Sequence, residues 1–236
     1  MLVALALAWI SGLAMPCGAL LARIERLGPG WLERELRHTI IAFGGGALIS
    51  AVSLVLVPRG TELLHWSVAC PLLLAGGVAF MAIDWWLARR GGSASQLVAM
   101  LADFIPEAIA LGALFAVDHA AGVLLAILIG FQNLPEGFNA YRELRASFRL
   151  AATRILVAFS LMSLLGPACA IAGYTLLQDR PAIIGGVMIL AAGGILYLTF
   201  EDIAPQARLE HRHAPPLGAV AGFLVGMLGH MLLGGV

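Results

Sequence analysis

The stretch that decides the fold covers residues 182–204 and reads AIIGGVMILAAGGILYLTFEDIA. Its first 19 residues carry no charge, and about 20 apolar residues are enough for a helix to cross the hydrocarbon core of a bilayer. Seven other stretches have the same character, and together the eight are residues 2–22, 39–57, 71–88, 96–117, 121–141, 150–177, 182–204 and 215–236. The sequence therefore predicts an all-α integral membrane protein, with eight transmembrane helices in one domain over residues 1–236.

The composition agrees with a chain covered by lipid. Of 236 residues, 61% are hydrophobic and only 12% are charged, and the mean hydropathy is +0.94. An ordinary soluble domain has about 45–50% apolar and about 25% charged residues. The composition thus argues against a soluble enzyme, a disordered chain or a nucleic-acid-binding protein, and it makes the lipid bilayer the main partner. The formal net charge of +0 offers no attraction for nucleic acid.

All 14 basic residues are arginines, and their distribution predicts the orientation of the spans. Basic residues are retained on the cytoplasmic side of a membrane. If the N-terminus is outside, the outer segments hold only Arg59 and Arg180. The inner segments then hold Arg23, Arg26, Arg34, Arg37, Arg89, Arg90, Arg142, Arg145, Arg149, Arg154, Arg208 and Arg212. We therefore expect both termini to lie outside.

Three carboxylates lie well inside predicted spans: Asp103, Glu107 and Glu136. A charge at the centre of the bilayer costs at least about 2.5–3.5 kcal/mol, and the same spans contain no arginine at that depth to neutralise it. These acids must be protonated, hydrogen-bonded or neutralised by a bound cation.

The spacing of these acids indicates a shared site. In the fourth span, Asp103 and Glu107 are four residues apart. In the fifth span, Gln132 and Glu136 have the same spacing, so each pair lies on one helix face. The two spans are joined by a short turn and run antiparallel, and both pairs fall roughly 8–17 Å from the inner end of their span. The four side chains are therefore expected to converge.

A proline precedes each of the two glutamates. Pro106 and Pro135 remove one backbone hydrogen bond each, and they free the carbonyl groups of Ala102 and Phe131. Carboxylate, amide and carbonyl oxygens suit hard or borderline divalent cations. The predicted metal ligands are Asp103, Glu107, Gln132 and Glu136. Two alternatives use the same residues, namely hydrogen bonds that hold a helix bundle together and a carboxylate relay for protons.

The two motifs resemble the signature of the ZIP family of divalent metal transporters. The fourth span reads Asp-Phe-Ile-Pro-Glu-Ala at 103–108, and the fifth reads Gln-Asn-Leu-Pro-Glu-Gly at 132–137. Residues 42–50, which precede a Leu-Val-Pro ending at Pro58, are similar to the family's second span. Residues 192–205 are similar to its seventh span.

The resemblance implies a ZIP-like bundle of eight spans with both ends outside. It implies transport of a divalent cation into the cytoplasm by alternating access, in which the first, fourth, fifth and sixth spans move against the others. The metal (Zn, Mn, Fe, Co or Cd) is then the substrate rather than a cofactor, the protein is not an enzyme, and it works as a homodimer in the inner membrane of a bacterial cell.

Departures from the family pattern change the expected site. Asp103 stands where the family has His, and Phe104 stands where it has Asn. The sixth-span stretch 163–167 also has no acid, so we predict one metal ion rather than two, with Asn133 as a weak additional ligand. A carboxylate in place of imidazole favours Mn or Fe(II), or broad selectivity. With three carboxylates facing one divalent ion, one is expected to keep a proton, so that affinity falls at low pH.

An exit path is predicted near the inner ends of the spans. Its candidate ligands are Asp84, Glu201, Asp202, His211 and His213. In the alternative interpretation, Asp84 pairs with Arg89 or Arg90 and the two histidines lie in a solvated loop. Asp118, in the turn between the fourth and fifth spans, is expected to be solvated. No role is assigned to the outer histidines, which are His65, His119 and His230.

Two other functions stay open at this point. Glu201 and Asp202, followed by Arg208, weakly resemble a di-acidic motif of membrane proteases, which would make the protein an intramembrane metal-dependent enzyme. The third possibility is a membrane scaffold that transports nothing.

Overall fold

The structure is a computed structural model, and it describes residues 1–24, 30–89, 95–148, 150–177, 179–208 and 213–233. All regular elements in these ranges are helices. The α-helices are α1 (Leu2–Ile24), α2 (Gly30–Ala51), α3 (Val57–Leu63), α4 (Trp66–Arg89), α5 (Ser95–Val117), α6 (His119–Phe148), α7 (Ala152–Met162), α8 (Leu165–Leu177), α9 (Pro181–Leu198), α10 (Ala204–Ala207) and α11 (Ala214–Leu233). Two π-helical turns lie at Val52–Leu56 and Thr199–Ile203.

Eight helical stretches among the described residues are long and apolar enough to cross a membrane. They are Leu2–Ile24, Glu35–Leu63, Trp66–Trp86, Met100–Val117, His119–Phe148, Ala152–Leu177, Pro181–Ala207 and Ala214–Leu233. These are the helices of a multi-pass membrane protein. The prediction of eight spans is confirmed in the length and the composition of the helices. Which side each terminus faces stays a prediction.

Three of the spans are interrupted, and a proline lies close to each interruption. The sixth span divides into α7 and α8 at residues 163–164, just before Pro167. The second and seventh spans pass through the π-helical turns, which are followed by Pro58 and Pro205. Because proline cannot donate to the carbonyl four residues earlier, the backbone adopts a wider turn in which Val57 donates to Val52 and Ala204 donates to Thr199.

The helices pack as two groups. The first helix group contains α1, α5, α6, α7 and α8, with α6 packed on α1 and α8 packed on α5. The second helix group contains α2, α3, α4, α9, α10 and α11, with α11 packed on α2 and α9 packed on α4. The two groups meet where α2 and α11 contact α6 and where α9 contacts α5.

Paired glycines hold the helices of each group at close range. A Cβ atom on Gly18 of α1 would lie 2.0 Å from the carbonyl oxygen of Leu134 on α6. A Cβ atom on Gly137 of α6 would lie 2.3 Å from the carbonyl oxygen of Met15 on α1. Each helix therefore uses one glycine to admit the backbone of the other, which is how small residues permit close packing in membranes.

The same reciprocal arrangement recurs in three more helix pairs. In each of them, a Cβ atom on either glycine would lie within 2.1 Å of a backbone carbonyl oxygen of the partner helix. The glycines are Gly46 and Gly222 between α2 and α11, Gly76 and Gly193 between α4 and α9, and Gly112 and Gly173 between α5 and α8. Every one of these pairs lies inside a single helix group.

Glycines that face the other group have side chains as their nearest neighbours. Gly44 of α2 faces the ring of Pro135, and Gly229 of α11 faces a methyl group of Leu124. The four glycine pairs thus hold four pairs of helices by backbone contact, whereas the contacts at Gly44 and Gly229 run through side chains.

We predict that Gly137→Ala destabilises the protein by about 1–3 kcal/mol, because the added methyl group has no room and the contact atom is backbone. Gly130→Ala is the matched control on the same helix, since its Cβ would lie 3.7 Å from Ser11 and alanine is the better helix former. The measurement is the free energy of unfolding in detergent. Equal stability of the two variants would contradict the prediction.

Candidate metal centre

The fourth- and fifth-span motifs meet between two neighbouring helices. Asp103 and Glu107 lie on α5, and Gln132 and Glu136 lie on α6. The side-chain amide of Gln132 donates a hydrogen bond to a carboxylate oxygen of Glu107. The structure therefore brings together the second acid of one motif and the amide of the other.

These side chains are withdrawn from the surface of the molecule. Glu107 and Gln132 are completely buried, and Asp103 is 3% exposed. Glu136 is partly exposed as a residue, but both of its carboxylate oxygens are buried. Burial at this depth makes an unneutralised charge expensive, so the group attracts either protons or a cation.

The candidate centre contains several buried acceptor oxygens without a hydrogen-bond partner. Both carboxylate oxygens of Glu136 have none, and neither do Asp103 Oδ1, Glu107 Oε1, Gln132 Oε1, Asn133 Oδ1 and Asn139 Oδ1. Buried polar groups in proteins are nearly always satisfied. Buried acceptor oxygens that lack a donor can be satisfied by a cation, since carboxylate and amide oxygens both bind cations.

The carboxyl groups of Asp103 and Glu107 lie within electrostatic range of that of Glu136. However, among the described residues no three His, Cys, Asp or Glu side chains form a group arranged to hold a metal ion. The predicted ligand set of Asp103, Glu107, Gln132 and Glu136 therefore stays a prediction, and amide oxygens would have to share in it.

A cavity of about 20 Å³ lies beside Gln132 and Glu136, at the boundary between the two helix groups. Ile41, Gly44 and Leu48 of α2 form its other wall. A volume of about 10–15 Å³ is enough for one water-sized sphere, so the cavity has room for a single small ion beside these oxygens.

Two residues of this cavity were missed by the sequence analysis: Asn139 and Gln206. Asn139 lies three residues after Glu136 and so on the same helix face, a signal that the sequence contained. Gln206 lies in α10, which the seventh span reaches only after its π-helical turn, so its position depends on the tertiary fold.

Asn139 and Gln206 also line a second, larger cavity, which we call the inner vestibule. It has a volume of about 760 Å³, and its other polar lining residues among those that the structure describes are Arg23, Arg37, Tyr141, Arg142, Glu143 and Arg145. Because these two amides belong to both cavities, the candidate centre continues toward the end of the bundle that the arginines predict to be cytoplasmic.

Asn133 and Phe104 have different environments. The amide of Asn133 donates to the backbone carbonyl of Ser11 on α1 at 3.0 Å, which leaves its own oxygen as a potential ligand. Phe104 is completely buried, with its ring against Gly12 and Gly166. In this sequence the position thus contributes to packing between α1, α5 and α8.

Asp202 lies within electrostatic range of Asp103 on one side and of Asp84, Glu201 and Glu143 on the other. Asp84 accepts a hydrogen bond from the hydroxyl group of Tyr197 at 3.2 Å. Arg89, which was one possible partner of Asp84, has its guanidinium group 3.7 Å from the centre of the Trp85 ring.

Of the remaining exit-path candidates, the two that the structure describes are exposed. Glu201 is exposed and borders a surface groove between α4 and α9. His213 is exposed at the start of α11, whereas His211 and Arg90 lie outside the described residues. The outer histidines make local contacts, in that His65 hydrogen-bonds to Ser67 at 2.9 Å and His119 packs edge-on against Phe115.

The opposite end of the bundle is closed by apolar packing. Leu111, Leu114, Leu125 and Leu128 follow Glu107 and precede Gln132 along α5 and α6, and all are at most 1% exposed. No polar route comparable to Asn139 and Gln206 is present among these residues.

An ion-pair cluster lies at the end of the same apolar layer. Arg59, at the end of the second span, pairs with Glu62 at 2.9 Å and with Asp118. Asp118 also accepts a hydrogen bond from the backbone N–H of Ala121 at 3.0 Å, which caps α6. The expectation that Asp118 is merely solvated was wrong, because the turn brings it against an arginine from the other helix group.

Comparison with known proteins identifies no relative: no protein-family model matches the chain, and no curated protein matches it.

Proposed function

We propose that the protein is a ZIP-like transporter of divalent metal cations, which it carries into the cytoplasm through a single carboxylate-rich site. The observation that carries this proposal is the set of buried side-chain oxygens without hydrogen-bond partners on α5 and α6, which belong to Asp103, Glu107, Gln132, Asn133, Glu136 and Asn139. A bound cation would satisfy these oxygens and neutralise their charge at once.

The ligand chemistry favours a hard or borderline metal. The candidate ligands Asp103, Glu107 and Glu136 are carboxylates, and Gln132 adds an amide oxygen. Oxygen ligands suit Mn and Fe(II) at least as well as Zn, which prefers imidazole and thiolate. Zn, Mn, Fe(II), Co and Cd are therefore all candidate substrates, with Mn and Fe(II) gaining most from Asp103.

The asymmetry of the bundle supports an inward-facing state. On one side of the site, Asn139 and Gln206 join the small cavity to the inner vestibule. On the other side, leucines of α5 and α6 pack without polar groups, and Arg59 ties α3 to Asp118. In alternating access, an ion would then leave toward the vestibule from this state.

The packing of the helix groups supports a relative movement between them. The candidate site lies at their boundary, where Gly44 of α2 faces Pro135 of α6. Contacts through side chains can exchange more readily than backbone contacts at paired glycines, so the two groups can shift while each keeps its own packing. The acids near Asp202 would offer weak ligands along the exit path.

Buried oxygens without hydrogen-bond partners distinguish this proposal from a polar network that is purely structural. A network that only holds helices together gains stability when each member has a partner. Glu136 has no partner for either oxygen, although both are buried.

The spans least covered by the rest of the molecule are Trp66–Trp86 and Ala214–Leu233. We infer that they face lipid or a second copy in a homodimer in the inner membrane of a bacterial cell.

We expect the double variant Glu107→Gln with Glu136→Gln to reduce uptake of Mn or Zn into proteoliposomes by more than about tenfold. Loss of a group that only orients a metal ligand already lowers metal affinity or activity about 10–100-fold. Asp179→Asn, which removes an exposed carboxylate between the sixth and seventh spans, is the control and should leave uptake unchanged. If the double variant elutes as a folded protein and still transports at the original rate, the site assignment fails.

Asp103→His is expected to shift selectivity toward Zn, because it replaces a carboxylate by imidazole. The measurement is the ratio of Zn uptake to Mn uptake when the two metals compete. This ratio should be at least severalfold higher in the variant than in the wild type. A wild-type protein that transports Zn alone, or a variant with an unchanged ratio, would defeat the argument that Asp103 broadens selectivity.

Arg59→Gln is expected to make the outer half of the bundle open more often, because it removes the charge that holds Asp118. The reporter is Leu128→Cys in a background without Cys17, Cys70 and Cys169, labelled from outside with a membrane-impermeant thiol reagent. Labelling should increase severalfold. Arg180→Gln, at the other predicted outer arginine, is the matched control, and equal labelling in both variants would exclude a closing role for Arg59.

A further inference from the structure

Four side chains that carry oxygen ligands follow one another along a single face of α6. Their positions are separated by four, three and four residues, which is the spacing of neighbours on one side of a helix. They are Gln132, Glu136, Asn139 and Glu143. The first two line the small cavity of the candidate metal centre, and the last lines the inner vestibule. With a rise of about 1.5 Å per residue, this row extends about 16 Å along the helix axis.

Asn139 is the member of the row at which the two cavities join. Its side chain lines both the small cavity beside Glu136 and the inner vestibule. Its Oδ1 atom is buried and has no hydrogen-bond partner, although a buried acceptor without a donor costs stability. An amide that only held helices together would use this oxygen in a hydrogen bond. The oxygen is therefore available to an ion that moves along the row.

Gln206 is the other described residue that lines both cavities. It lies on α10 in the second helix group, whereas Asn139 lies on α6 in the first. The two amides thus stand on opposite sides of the boundary between the groups. Since a shift of one group against the other changes the distance between the amides, both can contact one ion only in some arrangements of the bundle.

Neutral amides suit a step that follows a carboxylate-rich site. Amide oxygens are ligands for hard or borderline cations and can replace part of their hydration shell. They bring no negative charge, so they hold the ion less strongly than the carboxylates of the centre do. Conduction through a membrane requires sites that bind well enough for an ion to enter and weakly enough for it to leave.

We propose that Asn139 and Gln206 form a transit site, at which their amide oxygens bind the divalent cation between the candidate metal centre and the inner vestibule. This inference rests on the proposed function, since it describes how the same metal leaves. Because the two amides belong to different helix groups, the transit site is complete only while the groups keep the present arrangement. A movement of the groups separates the amides and removes this exit.

A ligand that the ion contacts only in passing has a kinetic signature. It lowers the barrier for entry and for exit alike, so its loss slows both rates and leaves the dissociation constant unchanged. Loss of a ligand at the resting site weakens equilibrium binding instead. The test therefore uses the purified full-length protein in detergent. It measures the dissociation constants for Mn²⁺ and Zn²⁺ by equilibrium dialysis, and the release of each metal into excess EDTA by stopped flow.

Two variants remove one amide each, from opposite helix groups. Asn139→Leu replaces the amide by methyl groups on the same branched side chain, and Gln206→Met replaces the other amide by a thioether. Asn139→Gln keeps an amide at the first position and tests for rescue. Tyr141→Phe is the control, because it removes a hydroxyl group from a residue that lines the vestibule but not the small cavity.

We expect Asn139→Leu and Gln206→Met each to slow release at least about tenfold, which is the effect of losing one polar contact to a charge. Their dissociation constants should stay within about twofold of the wild type, because the resting site is intact. Asn139→Gln and Tyr141→Phe should release the metal at about the wild-type rate.

Release at the wild-type rate in either amide variant overturns the transit site. A dissociation constant that rises in Asn139→Leu also overturns it, because Asn139 would then be a ligand of the resting site. Failure of the proposed function is recognised separately, since the wild type would then bind neither metal.

Discussion

Backbone contact at paired glycines is the constraint on which the rest of the molecule depends. In lipid, there is no hydrophobic driving force between helices, so their association relies on close van der Waals packing. Gly18 and Gly137 bring α1 against α6 closely enough for backbone to meet backbone. The other three glycine pairs do the same for their helices. All four pairs fall within the helix groups, which is the observation behind the proposal that the groups move against each other.

The candidate metal centre lies at that boundary, and its chemistry follows from its position. α6 carries Gln132 and Glu136 on a face between α5, which supplies Glu107, and α2, which supplies the opposite wall of the small cavity. A carboxylate there cannot be solvated by bulk water, so its charge must be neutralised locally. The amide side chains of Asn139 and Gln206 line both the small cavity and the inner vestibule. The route by which a proton or cation would reach solvent therefore runs toward the inner vestibule.

Much of this arrangement could be predicted from the chain. Apolar runs of about 20 residues predicted eight helices. The spacing of four residues between Asp103 and Glu107, and between Gln132 and Glu136, predicted that each pair shares one helix face. Other features could not be predicted in the same way. Asp118 was expected in solvent, but it pairs with Arg59 across 59 positions of the sequence. Gln206 lies in α10, after the π-helical turn at Thr199–Ile203, and no local pattern in the sequence reports which neighbour such a turn will face.

The sequence by itself predicted the number and approximate limits of the spans, the positions of Asp103, Glu107 and Glu136 within them, and the matching positions of the two proline–glutamate motifs. These properties depend on hydrophobicity and helical period, which are local. Only the tertiary structure decided that the helices divide into two groups, that the site lies between them, and that four arginines from three helices surround one cavity. Such features depend on which helix faces meet, and this is set by backbone contact at glycines far apart in the chain.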